Sequence, residues 1–315
     1  MKIVDSVKRL FRRMSDDPRA KDKLPKLKKL VIAAVVLLIG WQLWQIGWTE
    51  VFQSLPAHPL FYILFLVMYL TLPLAELLIY RGLWKLPRFS LFRAFITKRV
   101  YNEEVVGYSG EVYLSVWATQ QTGKPAAEIA RNVRDANILS AANSYFMMLI
   151  LLGLLLTFEV IPATVILPET TAGIWLAVGV LTLILLFLGI RFRHYYFQLP
   201  LPEALRIISI YAVRFALQHS LLVWQWSVVI PGTDLSVWLT YLALIIVINR
   251  LPFVPSKDLV FVWAGIGLSQ FLDVSAAGVA ALLLVSSALN KLMNTGLYLL
   301  IEAKKKKQDS GTANS

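Results

Sequence analysis

Polar positions are sparse along much of this chain, and where they thin out they do so over long continuous stretches. LVIAAVVLLIGWQLWQIGW at 30–48 is the first, and others cover 60–80, 138–158, 172–190, 207–230 and 278–301. A helix needs roughly 20 apolar residues to cross the hydrocarbon of a bilayer, and these runs meet that length. Strands of a membrane barrel would instead be short and would alternate apolar with polar residues. The pattern therefore predicts an all-α, polytopic integral membrane protein. Two further apolar pieces, LSVWLTYLALIIVI from 235 and LVFVWAGIGLSQFL at 259–272, are shorter. They flank NRLPFVPSKD at 249–258, which is broken by Pro252 and Pro255 and charged by Arg250, Lys257 and Asp258. Counting starts at 30, 60, 138, 172, 207, 235, 259 and 276 gives about eight transmembrane helices.

Charge in the connections sets the expected orientation, because Lys and Arg collect on the cytoplasmic side. Residues 1–29 carry eleven Lys or Arg against four Asp, and 81–100 carries six Lys or Arg. The connections at 49–59, 159–171 and 231–234 carry none, whereas 191–206 carries three. The expected arrangement is an inner-membrane protein with both termini cytoplasmic. Three segments follow: a basic N-terminal segment 1–29, a membrane domain 30–302 and a disordered cytoplasmic tail 303–315. Within 1–29, Ile3, Val4, Val7, Leu10, Phe11 and Met14 recur at helical spacing among Lys8, Arg9, Arg12 and Arg13. That suits a helix lying on anionic inner-leaflet headgroups; a solvated basic tail is the plainer reading. The long basic region and the absence of a small-residue cleavage site argue against a cleaved signal peptide.

The same count constrains residues 81–137, which must begin and end inside. Their moderately apolar pieces would enter and leave from one face, or lie along it, as a first re-entrant region. The prolines near 249–258 would make a second. YNEEVVGYSGEVY at 101–113 lies in the first, with Gly107 and Gly110 as the natural break. Glu103, Glu104 and Glu111 would stand there with Lys98, Arg99, Arg131 and Arg134 nearby. Arg can bind phosphate bidentately and a carboxylate can take an amine or a sugar hydroxyl, so the group could hold an amphiphile's polar head. An ordinary solvated loop is the alternative.

Composition narrows the chemistry. The 315 residues are 57% hydrophobic with a net charge of +12, and the mean hydropathy is +0.64. The positive charge flanks the apolar runs, so membrane lipids rather than nucleic acid are the expected partners. There is no cysteine, and His58, His194 and His219 are too scattered for a zinc site. No catalytic triad or Asp-rich metal motif is visible, so no cofactor and no enzymatic activity are expected.

Charged groups inside apolar runs are costly and face a bundle interior or a cavity when they occur. Glu76, Arg214, Arg250, Lys257 and Lys291 are the candidates. Arg214 and Gln218 share a helix face, beside His219. Internal ion pairing that only fixes helix packing, for example Glu76 with Lys291, is the plainer role. Trp41, Trp44, Trp48, Trp224 and Trp226 fit interfacial aromatic belts.

Two stretches carry a family resemblance. SGEVYLSVWATQQTGKPAAEIARNVRD at 109–135 has Gly110, Glu111, Gly123, Arg131 and Arg134, and LPFVPSKDLVFVWAGIGLSQFLDVSAAGVAALLL covers 251–284. They resemble the flippase-like family that includes the transmembrane part of lysylphosphatidylglycerol synthases. Leu114, Ser256, Lys257 and Val262 stand where that family commonly has Arg, Gly, Gly and Glu. The resemblance implies a helical membrane domain with re-entrant loops and a role in moving lipids between leaflets, without a synthase domain. The expected function is a flippase or transporter of an anionic or zwitterionic lipid or lipid-linked headgroup. A non-catalytic membrane partner of an envelope-lipid enzyme complex, or a lipid-modifying enzyme, is the alternative.

Overall fold

The computed structural model describes residues 18–105, 108–157, 199–250, 256–272 and 274–312. Among these, every regular element is helical. In chain order they are α1 (Pro18–Ile46), α2 (Trp48–Gln53), α3 (Pro59–Trp84), α4 (Arg88–Glu104), α5 (Ser109–Thr122) and α6 (Ala126–Thr157). They continue with α7 (Leu201–Val229), α8 (Leu235–Arg250), α9 (Lys257–Ser269) and α10 (Ala276–Thr312). Among the described residues, three helices are long and apolar enough to cross a membrane: Pro59–Trp84, Leu201–Val229 and Ala276–Ala303. Shorter apolar helices cover Ile32–Ile46 and Leu235–Asn249. The run expected at 172–190, the connection 159–171 and the Leu-Pro motif at 251–255 lie outside the described residues, as do residues 1–17.

The chain divides into two compact units, one from residues before Ala57 with Leu244–Ser287, the other from Ala57–Ala243 and the residues from Ala288 on. In the first, α1 packs on α9. Ile39 and Leu43 are buried there, as are Val262 and Ile266 of α9. The Gln42 side-chain amide donates to the Trp263 carbonyl across 3.2 Å. Lys257 caps locally, donating to the Asn249 carbonyl at 2.6 Å.

In the second unit α3 is the central rod. Its start is set by His58, whose Nδ1 accepts the Leu60 amide, with Pro59 at the first turn where a missing N–H costs nothing. Its end is Lys85, in a left-handed conformation at φ 52°. Pro73 lies inside it. A proline there cannot donate to the carbonyl four residues back, which is that of Tyr69. Arg99 of α4 donates to that carbonyl instead.

From Pro87 the chain reverses. Leu91 and Phe95 of α4 join Tyr80 and Trp84 of α3 in one apolar cluster, with the Tyr80 and Phe95 rings 5.3 Å apart. Farther along, Lys98 meets Glu76 and Arg99 meets Tyr69. So α4 runs antiparallel to α3, and its contacts extend from Trp84 to Tyr69, about 22 Å of helix at 1.5 Å per residue. α5 folds back along α4. Tyr108, just before it, is left-handed at φ 69°, and Ser109 Oγ donates to the Tyr101 carbonyl at 2.6 Å.

Gly110 is not the break point that its residue type suggested; it sits in the first turn of α5, buried against α4. A Cβ there would overlap the Lys98 carbonyl, so only glycine allows the helices to approach this closely. α7 also packs on α3 and lays a polar stripe along it. Gln218 accepts from Thr71 Oγ1 at 2.6 Å, Gln225 donates to the Phe61 carbonyl at 2.9 Å, and Arg206 donates to the Leu78 carbonyl at 2.9 Å. α10 runs on through Lys304–Lys307 to Thr312, so the expected disordered tail is helical to that residue.

Candidate functional site

The α4–α5 hairpin brings an ammonium and two carboxylates together inside the second unit. Lys98 Nζ donates to Glu76 Oε1, and Glu111 Oε1 lies 3.4 Å from the same nitrogen. The side chains of Lys98, Glu76 and Glu111 retain 6%, 5% and 16% of their surface. Burying one charge alone would be very costly, so the three compensate one another. Burial works to lower the Lys98 pKa, but the charges of Glu76 and Glu111 and the bond to Glu76 outweigh it. The ammonium is held above the ordinary lysine value.

Asn102 fixes the geometry from α4. Its Oδ1 accepts the Gly110 amide at 2.7 Å, and its Nδ2 donates to Glu111 Oε1 at 3.2 Å. One residue thus satisfies an orphan N–H of the first turn of α5 and orients Glu111 toward Lys98. Around the three charges, some buried polar atoms have no hydrogen-bond partner: Glu111 Oε2, Tyr80 Oη, Trp84 Nε1 and Arg214 Nε. Tyr80 lies within electrostatic reach of Glu76 and Glu111, and Arg214 within reach of Glu76 and Arg99. Two carboxylates and the cations Lys98, Arg99 and Arg214 therefore occupy one region of this unit.

A second ion pair stands near the hairpin tip. Lys291 donates to Glu104 at 2.7 Å, and the Glu104 side chain retains 10% of its surface. The pairing of Glu76 with Lys291, offered from the sequence, is corrected: Glu76 takes Lys98 and Lys291 takes Glu104. Close by, the Tyr69 hydroxyl donates to Asn294 at 2.6 Å, and the Arg99 guanidinium lies 3.8 Å over the Tyr69 ring.

Other sequence candidates are placed elsewhere or less closely. Glu103 is exposed on α4, and its charge reaches Tyr69. Arg131 is exposed on α6, and Arg134 pairs with its neighbour Asp135 at 2.7 Å. Neither arginine makes a bond to the Lys98 cluster. Lys257 belongs to the other compact unit, and the Arg250 side chain is outside the described residues. The sequence reading passed over Asn102 and Tyr80, and it named Lys98 and Arg99 only as neighbouring cations. The one signal available was Lys98-Arg99 set within the otherwise apolar FITKRVY.

Beside this cluster, α3, α4, α5 and α10 line a cavity of about 710 Å³. Leu66 and Leu70 of α3, Ile96 of α4 and Leu297 and Ile301 of α10 supply apolar walls. Its polar atoms come from Arg93, Thr97, Tyr101 and Tyr113. Tyr101 donates to Glu302 at 3.0 Å, and burial, that bond and the Glu302 charge push its phenol up to about 12. Burial also raises Tyr113, against the opposing influence of Thr97 and Arg93.

Among the described residues, no group of three His, Cys, Asp or Glu side chains could hold a metal ion. The chain matches no protein-family model, no curated protein and no solved structure. Architecture and site together mark a helical, membrane-embedded protein with buried charge.

Proposed function

We propose that this protein is an integral membrane transporter of lipid, flippase-like in action, that moves an anionic or zwitterionic headgroup through a polar interior. The observation that carries the reading is the buried Glu76–Lys98–Glu111 cluster beside the apolar helices α3 and α7. Each charge placed in hydrocarbon costs about 2.5–3.5 kcal/mol on insertion scales, so a packing role alone is an expensive solution. Apolar side chains of similar volume would hold the same helices together without that cost.

In this reading α4 and α5 form a re-entrant hairpin that enters and leaves from the cytoplasmic face, within a plan of about eight spans with both termini cytoplasmic. The broken segment near 249–258 is its counterpart in the other half, and interrupted segments in two halves point to a transporter site. Kinship with the flippase-like family belongs to the same proposal. Transport rather than catalysis is favoured by the chemistry of the site, which offers ion pairs and hydrogen-bond donors but no nucleophile activated by an adjacent base.

The test is a vesicle assay of headgroup translocation, using phosphatidylglycerol labelled on its headgroup and a membrane-impermeant quencher. The purified protein is expected to speed exposure of the label, and the Lys98→Met, Glu111→Gln double variant to lose most of that gain. Equal rates for protein-containing and empty vesicles, or for the variant and the wild type, would overturn the reading.

A further inference from the structure

The cavity takes most of its polar lining from α4 and α5 and most of its apolar lining from α3 and α10. Met293, Leu297 and Ile301 line it along about 12 Å of α10, and Leu66 and Leu70 line it from α3. Arg93 enters from the first third of α4, one turn before Thr97. The Tyr113 hydroxyl is bonded by Thr97 and feels the charge of Arg93, so the polar atoms of α4 and α5 gather on that side. Arg93 is exposed, lies 5.9 Å over the Phe89 ring and has no carboxylate partner among the described residues.

We infer that this cavity is a binding site for one phospholipid, with an acyl chain between α3 and α10 and the phosphodiester on Arg93. The chemistry follows from the lining. A volume of about 710 Å³ falls in the range of sites that take a chain-sized ligand. Its walls are aliphatic and aromatic, which suits an alkyl chain and nothing charged. The unpaired guanidinium at its polar side supplies the fork that phosphate oxygens accept bidentately. Tyr101 lines the same wall and already donates to Glu302, so that carboxylate's charge is partly satisfied. The inference deepens the lipid-handling reading by naming the ligand class and the groove, and it asks only where a lipid binds, not whether it moves.

The experiment places the full-length protein in phosphatidylcholine nanodiscs doped with a phosphatidylglycerol that carries a photoreactive diazirine near its chain end. After illumination, labelled peptides are mapped by mass spectrometry. Label is expected on 66–70 and 293–301 at several times the level found near Leu74 and Leu78, which are exposed on α3 and report the general lipid shell. Leu297→Trp should fill the cavity and remove that label while leaving the Leu74 and Leu78 label unchanged. Arg93→Gln, at an exposed position that leaves packing intact, should lower the phosphatidylglycerol label to that of a diazirine diacylglycerol probe. Loss of one charge-assisted contact predicts a drop of about tenfold. Excess inorganic phosphate should not compete, which separates a lipid from free phosphate. Label no stronger than at Leu74 and Leu78, label insensitive to Leu297→Trp, or equal labelling of the wild type by the diacylglycerol would overturn the inference. Specific labelling in a protein that moves no lipid would instead remove the transport reading and leave this one in place.

Discussion

Arg99 donates to the Tyr69 carbonyl, the helical acceptor that Pro73 leaves without its usual donor. A break in α3 and a cation in α4 are thus two halves of one interaction. If so, the two residues are energetically coupled. Pro73→Ala restores the missing N–H and closes the helical bond within α3. Arg99→Gln is then expected to cost about 1 kcal/mol less in the Pro73→Ala background than in the wild type. Unfolding titrations in mixed micelles on the four proteins of this cycle give the coupling directly; simple additivity would show that Arg99 does not stand in for the lost bond.

Lys98 is the only ammonium bonded to Glu76 and Glu111 among the described residues. Lys98→Met leaves two buried carboxylates facing each other. The expected loss is about 3–5 kcal/mol, the usual result of removing one partner from a buried pair. Adding Glu76→Gln should recover part of it, because one uncompensated charge is then gone. A lone Lys98→Met variant that unfolds at the wild-type midpoint would mean that the cluster is wet and weakly coupled.

Alkaline stability follows from the same group. The folded chain holds Lys98 above its ordinary value of 10.5, with burial opposed and exceeded by the two carboxylates. Above that ordinary value the unfolded chain gives up its proton first and the folded chain still binds it, so stability falls as pH rises. Below it the contribution is constant. Tyr101, pushed up to about 12 by burial and its bond to Glu302, adds a decline of the same sign beginning above its ordinary value of 10.0. Thermal midpoints should therefore be flat from neutral pH and drop above about pH 10, and Lys98→Met should flatten that limb. A midpoint that falls between pH 7 and pH 9 would contradict the assignment.

Gly110 sets the distance between α4 and α5. Gly110→Ala drives a methyl into the Lys98 carbonyl, and backbone cannot rotate away as a side-chain tip can. A loss of about 2 kcal/mol is expected from the overpacking. Gly123→Ala should behave differently. Nothing lies within 4 Å of the added carbon, but its φ of 65° makes the cost purely conformational. Circular-dichroism melts of the two variants, together with a check of the 101–113 segment by protease nicking, separate the mechanisms. Equal losses with equal nicking would remove the packing argument.

Much of the helical layout was legible because the apolar runs are long. The expected spans at 60, 207, 235 and 276 fall on α3, α7, α8 and α10. The start of α7 at Leu201 was missed by several residues, because Pro200, Pro202 and Glu203 read as a loop although proline and an acidic residue suit a first helical turn. Charge was harder to place. Glu76, Lys98 and Glu111 lie far apart in the chain, and only the reversal at Pro87 and the turn before Ser109 bring them together. Periodicity reports which face of a helix is polar; it does not say which other helix that face will meet. The three glutamates of 101–113 accordingly end in three different surroundings. Glu111 enters a buried cluster, Glu104 takes Lys291, and Glu103 remains on the surface.

The pairing of Glu104 with Lys291 has a consequence for biogenesis. The two residues are separated by 187 positions, and the ribosome makes the acid first. Throughout the elongation of most of the remaining chain, the tip of the nascent hairpin lacks its counter-charge. Its final seating must wait for α10 to arrive, so this region assembles only after every segment between the two residues has been made.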